Sequence, residues 1–155
     1  MKAIKHAVIY NVCSEYPDPA IDISKSNAAE YLKSFNPMHL SFIEGAKPVK
    51  FTVKRLSPTE LSAVNKSQSV FGAEIGNINA IGYGLIAIEN QDGTIREIER
   101  EDKKVEGVSV SLCKNLNQLI EELSDEFGFD ILSELGISIV KISRMPLNLS
   151  PFLSK

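Results

Sequence analysis

Apolar and polar positions alternate most cleanly in Val49-Lys50-Phe51-Thr52-Val53-Lys54, the period-two pattern of a half-buried strand. Residues 3–13 (AIKHAVIYNVC) are rich in β-branched side chains and read as a first strand, ended by Tyr16-Pro17-Asp18-Pro19. Ser26 is placed to cap a short helix from Asn27 to about Phe35, which Asn36-Pro37 stops. Residues 40–45 (LSFIEG) read as another short strand. Ser57-Pro58-Thr59-Glu60 then combines an N-cap serine, a proline at the first helical position and a glutamate at the third. That is a capping box, in which serine oxygen and glutamate carboxylate each accept from the other residue's backbone N–H.

From this start the apolar positions Leu61, Val64, Phe71, Ile75, Ile78 and Leu85, with Gln68 and Gly82 in the missing steps, alternate in spacings of three and four. The spacing predicts one helix over 58–86, with Ser67-Gln68-Ser69 as the place where it could divide. A second row is less usual: Gly72, Gly76, Ala80 and Gly84 recur every four residues and leave a ridge of nearly bare backbone. A glycine inside a helix costs about 1 kcal/mol against alanine. The simplest compensation is close approach of another backbone, from the same domain or from another chain. The row resembles the small-residue motif of membrane helices, but Glu74, Asn77 and Asn79 oppose a bilayer.

Residues 85–90 and 94–98 flank Gln91-Asp92-Gly93, a strong hairpin signal. The charged stretch 99–104 (EREDKK) reads as a solvated loop or strand end that Gly107 closes. Asn115 and Gln118 repeat the capping-box spacing before Leu116, Leu119, Ile120, Leu123 and Phe127, an apolar helix face ended by Gly128. Asp130 is placed to cap a last helix from Ile131 to about Ser143, with Pro146 beyond it. The expectation is an α+β fold: a small antiparallel sheet, including the 85–98 hairpin, packed against three or four helices. Residues 1–145 form one domain in this reading. Residues 146–155 form an extended tail too apolar to be a plain solvated end.

Composition narrows the picture without naming a chemistry. Net charge is −3, with eight Lys/Arg against five Asp/Glu in residues 1–57 and nine against fifteen in 58–155. Neither part is basic enough for a dedicated nucleic-acid surface, and there is no Trp. No apolar run approaches the ~20 residues of a membrane span. Ala7-Val8-Ile9-Tyr10 follows two lysines, but Asn11 and the acidic, proline-containing segment after it oppose a signal peptide. Cys13 and Cys113 form no C-x-x-C pair and suit a reducing compartment as buried small hydrophobes, with a disulfide between them left open. A cytoplasmic protein is expected.

Candidate catalytic groups are sparse. His6 and His39 stand near no nucleophile motif, and two Cys with two His spread along the chain do not make a zinc set. Glu121-Glu122 and Asp125-Glu126 fall on the polar face of a helix, and 97–106 lacks the glycine and ligand spacing of a calcium loop. Gly82-Tyr83-Gly84-Leu85-Ile86-Ala87 matches a dinucleotide-binding string, but with helix before and strand after, the reverse of what that chemistry needs. No cofactor or metal is expected.

Lys47-Pro48-Val49-Lys50-Phe51-Thr52-Val53-Lys54-Arg55-Leu56-Ser57-Pro58-Thr59-Glu60 resembles the strand and helix start of small tailed-bacteriophage proteins, of the tail assembly chaperone or head/tail accessory type. The resemblance runs loosely through the glycine-containing helix, the Asp-Gly hairpin and the helix ending at Ile142-Ser143. It leaves the first 45 residues without a counterpart. It implies a non-enzymatic virion-assembly component, found in host cytoplasm or virion, with no catalytic residues to carry over. Protein partners are then expected, as a homo-oligomer or with other virion subunits, without membrane or direct nucleic-acid binding. The interaction residues would be Gly72, Gly76, Ala80 and Gly84 on the ridge and Leu147, Leu149, Phe152 and Leu153 in the tail. The alternatives are a small carboxylate enzyme without a histidine, or an inhibitor docking through its acidic 97–106 face on a larger enzyme. Deleting 146–155 is expected to weaken assembly, measured by light scattering, while the thermal melt of the monomer stays in place. A truncated chain that unfolds would mean the tail is core.

Overall fold

The strong local signals become the elements that frame the molecule, seen in a computed structural model that describes residues 6–146. Four antiparallel strands lie in the order β1 (His6–Ile9), β2 (Lys50–Lys54), β3 (Leu85–Glu89), β4 (Ile95–Glu97). Val8 faces Thr52, Phe51 faces Ile88, and Ile88 faces Arg96, with an irregular step between Thr52 and Val53. Five helices accompany the sheet: α1 (Ala28–Ser34), α2 (Pro58–Phe71), α3 (Ala73–Gly84), α4 (Leu116–Phe127) and α5 (Asp130–Arg144). The fold is α+β, with one hydrophobic cluster joining β1–β3 to all five helices. No helix among the described residues is long and apolar enough to cross a membrane.

The Ser57 capping box is present with both of its bonds, from Glu60 N–H to Ser57 Oγ (3.2 Å) and from Ser57 N–H to Glu60 Oε1 (2.9 Å). Glu60 is buried and also takes the Lys54 ammonium at 2.7 Å, so the cap ties β2 to α2. Other local readings need correction. The helix expected over 58–86 breaks at Gly72, which accounts for five helices instead of three or four. Asn27, not Ser26, caps α1 by accepting from Glu30 N–H, while Ser26 Oγ bridges Asp22 O and Ser41 N. The strand expected at 40–45 is only a bridge between Ile21 and Phe42, after a 3-10 turn at Pro37–His39. Asn115 makes no side-chain cap bond, since Gln118 donates to Glu122 instead, and Asp130 is the first residue of α5, preceded by Phe129 as N-cap.

The charged stretch is a second hairpin, β5 (Arg100–Val105) with β6 (Val108–Cys113). Its turn places Glu106 at φ 50° and Gly107 at φ 78°, the two positive values a two-residue hairpin turn of matching twist demands. Arg100 fastens this hairpin to the frame. Its guanidinium donates to Ser111 Oγ and O, to Leu85 O and to Tyr83 O, satisfying carbonyls where α3 runs into β3. Burial holds the Arg100 pKa below its ordinary value.

α3 is held closest of all. A methyl group at Gly136 of α5 would stand 2.7 Å from Asn77 Cα and 2.8 Å from its carbonyl oxygen, so the two backbones touch. One at Gly84 would stand 2.6 Å from Ile139 Cγ2. Gly136→Ala must push one helix off the other and is expected to cost about 2–3 kcal/mol, lowering Tm by roughly 5–10 °C. Gly82 faces only the ends of Leu112 and Leu116, at 3.0–3.2 Å. There the gain in helix propensity offsets the crowding, so Gly82→Ala should change stability by no more than about 1 kcal/mol. Thermal melts of the two variants side by side check the contrast.

Candidate functional site

The residues expected to make contacts part company in the structure. Gly76, Ala80 and Gly84 are buried, and what covers them is this chain: Gly76 lies against Gln68 of α2, Gly84 against Ile139 of α5. At these positions the close partner is intramolecular. Gly72 is different, because it is exposed at the break between α2 and α3. Leu147, Leu149, Phe152 and Leu153 lie outside the described residues. Gly82 and Gly84 end a helix that runs into β3, so the dinucleotide-like string has no strand-to-helix turn to present to a phosphate.

A groove of about 1130 Å³ lies elsewhere, between the 10–20 loop, the β3–β4 turn and the end of α4. The loop is built from its own polar side chains. Asn11 accepts from Cys13 N–H through Oδ1 (3.0 Å) and donates to Tyr16 O (3.1 Å). Asp18, only 3% exposed, accepts from Ala20 N–H (2.9 Å) and Gln91 Nε2 (3.3 Å) on one oxygen. Its other oxygen accepts from Val49 N–H (2.7 Å). One buried carboxylate therefore pins the loop to the entry of β2 and to the hairpin turn. Buried charge of this kind is stable because each oxygen is met by N–H donors.

The groove's floor is Val49, Ile88 and Phe127, the last packed edge-on against Phe51 at 5.2 Å between ring centres. Tyr16 and the two prolines beside Asp18 form one wall, and Tyr16 is 64% exposed. The rim is acidic: Glu15, Asp92, Asp125 and Glu126 stand there above the buried Asp18, against Arg96 as the one cation among the described lining residues. Arg96 is itself paired with Glu122. Hydrogen bonds from Thr94 lower the Asp92 pKa and keep it charged. Asp125 and Glu126 lie on a solvated face of α4, as the helix pattern predicts. The convergence of Asn11, Asp18 and the Asp-Gly turn at 91–93 on the same groove has no local signal in the sequence.

Among the described residues no group of three or more His, Cys, Asp or Glu is placed to hold a metal. His6 sits in β1 and His39 in the turn after α1. Cys13 and Cys113 are both buried and free. Burial, then the charges of Glu134 and Asp130, push the Cys13 thiol up to about 12, so it stays protonated and unreactive. No protein-family model, no curated protein and no solved structure matches this chain.

Glu134 of α5 is the group in this region with an unmet need, since its Oε1 is buried without a hydrogen-bond partner. Burial raises its pKa above the ordinary 4.5. A raised folded-state value means its contribution to stability is full below the unfolded value and is lost as pH rises through the folded one. Glu134→Gln should therefore raise Tm at pH 7 by a few degrees, on the order of 1 kcal/mol at most. At pH 4 and below it should change Tm little. Melts at the two pH values decide it.

Proposed function

We propose that this chain works by binding other polypeptides, as an assembly component and not as a catalyst. The observation that carries the proposal is the character of the groove. Its floor is apolar, its rim is acidic, and its buried polar groups are already committed within the chain. A reactive site keeps a poised acid, base or nucleophile free for its substrate. Here Asp18 is spent on holding the loop. The volume also exceeds the roughly 300–1,000 Å³ usual for small ligands.

An occupant matched to such a surface is an extended stretch of polypeptide with apolar side chains for the floor and lysine or arginine for the rim. Opposite charge steers the encounter, while buried apolar anchors supply most of the affinity. The resemblance of residues 47–60 to tailed-phage assembly and accessory proteins makes a neighbouring virion subunit the partner to seek, in host cytoplasm or in the particle.

Fluorescence anisotropy with labelled dodecapeptides of alternating lysine and valine, against glutamate and valine, tests the groove. The basic peptide should bind and weaken as salt rises, and the acidic one should not bind. Asp125→Asn with Glu126→Gln should cost about tenfold in Kd, or ~1.4 kcal/mol. Glu101→Gln with Asp102→Asn removes the same charge from β5, outside the groove, and should leave Kd in place. Equal losses from both pairs would mean that net charge alone attracts the peptide, and the groove would lose its role.

A further inference from the structure

We infer that the elbow between α2 and α3 is a hinge through which two copies of this chain exchange halves, giving a domain-swapped dimer. The stripe that predicted one helix is the first support. Its outer members are buried or packed on the core: Leu61 and Val64 at one end, Gly82 and Leu85 at the other. Its middle members, Gln68, Phe71 and Ile75, are exposed, and Phe71 and Val70 are 70% and 71% exposed. A helical pattern written continuously through a break, with the unused apolar part stranded at the break, is the pattern of a helix that has another conformation available.

The hinge itself is a single residue. Gly72 holds φ 100° and ψ 170°, a combination essentially reserved for glycine. Helical bonding reaches it from both sides, from Gly72 N–H to Gln68 O and from Gly76 N–H to Gly72 O. α3 begins with no side-chain cap, and straightening the elbow would give the N–H groups of residues 73–75 the carbonyls of 69–71. Nothing buried is lost at the elbow, since residues 68–75 are all exposed. Short, strained connections between packed elements are the ones that exchange.

What α2 and α3 lose in parting they regain from the second copy. The packing of Gly76 on Gln68, the Asn79–Ser67 hydrogen bond and the β2–β3 pairing all reform between chains. Two long helices then cross antiparallel near Gly72, which brings Phe71 and Ile75 of one copy against those of the other. The groove survives the exchange as a composite, with Tyr16 and Asp18 from one chain facing Arg96 and Asp125 of its partner.

Ser67 and Asn79, joined at 2.7 Å across α2 and α3, provide the test. Chains carrying Ser67→Cys alone and Asn79→Cys alone are unfolded, mixed, refolded under reducing conditions and then oxidised. A disulfide-linked heterodimer on a non-reducing gel, growing with protein concentration, is the expected result, because only exchanged chains bring those positions together. Gly72→Ala disfavours the bend and should raise the dimerisation constant about tenfold or more by light scattering. Three glycines inserted after Gly72 should relax the hinge and lower it. Absence of the heterodimer at millimolar protein overturns the proposal, even if Gly72→Ala fails to fold. A dimer that forms without the cross-link overturns it too, since that dimer is side by side.

Discussion

Contact between the backbones of α3 and α5 at Asn77 and Gly136 sets the geometry of everything downstream. α3 passes into β3 without a connecting loop, Gly84 being the last residue of one and Leu85 the first of the other. Where α5 holds α3 therefore decides where β3 enters the sheet, and with it the β3–β4 turn that walls the groove. Small residues make this possible. Gly84 on α3 and Gly136 on α5 let the helices approach at a distance that larger side chains forbid. The cost in helix propensity is offset by close packing along the contact. Polar ties then lock the same region from its edges. Ser143 on α5 accepts from Leu56 N–H and donates to Ile139 O, Arg100 gathers the carbonyls at the α3–β3 junction, and Lys54 holds the Glu60 cap.

The groove depends on a second, smaller constraint. The loop after β1, residues 10–20, has little secondary structure of its own, so its backbone must be satisfied by side chains. Asn11 does this from within, and Asp18 does it across the molecule by reaching the N–H of Val49. The loop is thereby held against β2 and the 91–93 turn, and Tyr16 can stand out at the rim with its ring edge over Gly128. A rigid support beneath exposed aromatic and acidic groups is the arrangement in which a recognition surface loses least entropy on binding.

What the sequence disclosed and what it concealed follow from range. The Ser57 box, the Asp92-Gly93 turn and the apolar face of α4 are decided by neighbours a few residues apart, and each stands where the pattern put it. The β5–β6 hairpin escaped because both of its faces are largely wet, so Arg100–Val105 shows no alternation. The Glu106-Gly107 turn and the alternation of Val108-Ser109-Val110-Ser111-Leu112 were its local marks. Asp18 reads as an ordinary turn residue, since its bond to Val49 spans 31 positions. Gly136 could have been noticed as an isolated glycine in a helical pattern, which asks for a packing reason. The ridge at Gly76, Ala80 and Gly84 was legible as a demand for close approach, but the periodicity carries no information about whose backbone answers.

Gly72 is where local and global preference disagree. Locally, the three-and-four spacing favours one helix, and residues 68 to 75 could all take helical backbone, while the bend needs the positive φ of Gly72. Globally, a single chain can bury Val64, Ala80, Leu85 and Ile139 in one core only by folding α3 back beside α2. The bend is the concession that one chain makes to close its own core, and the apolar middle of the stripe is left in water as a result. Two chains need no such concession. They can keep the core contacts, straighten both helices and cover Phe71 and Ile75. Against this stands the loss of translational freedom on association, about 4–15 kcal/mol at standard concentration. For the exchange inferred above, the balance therefore turns on concentration, and Phe71 and Ile75, exposed in the monomer, are the residues such a dimer would cover.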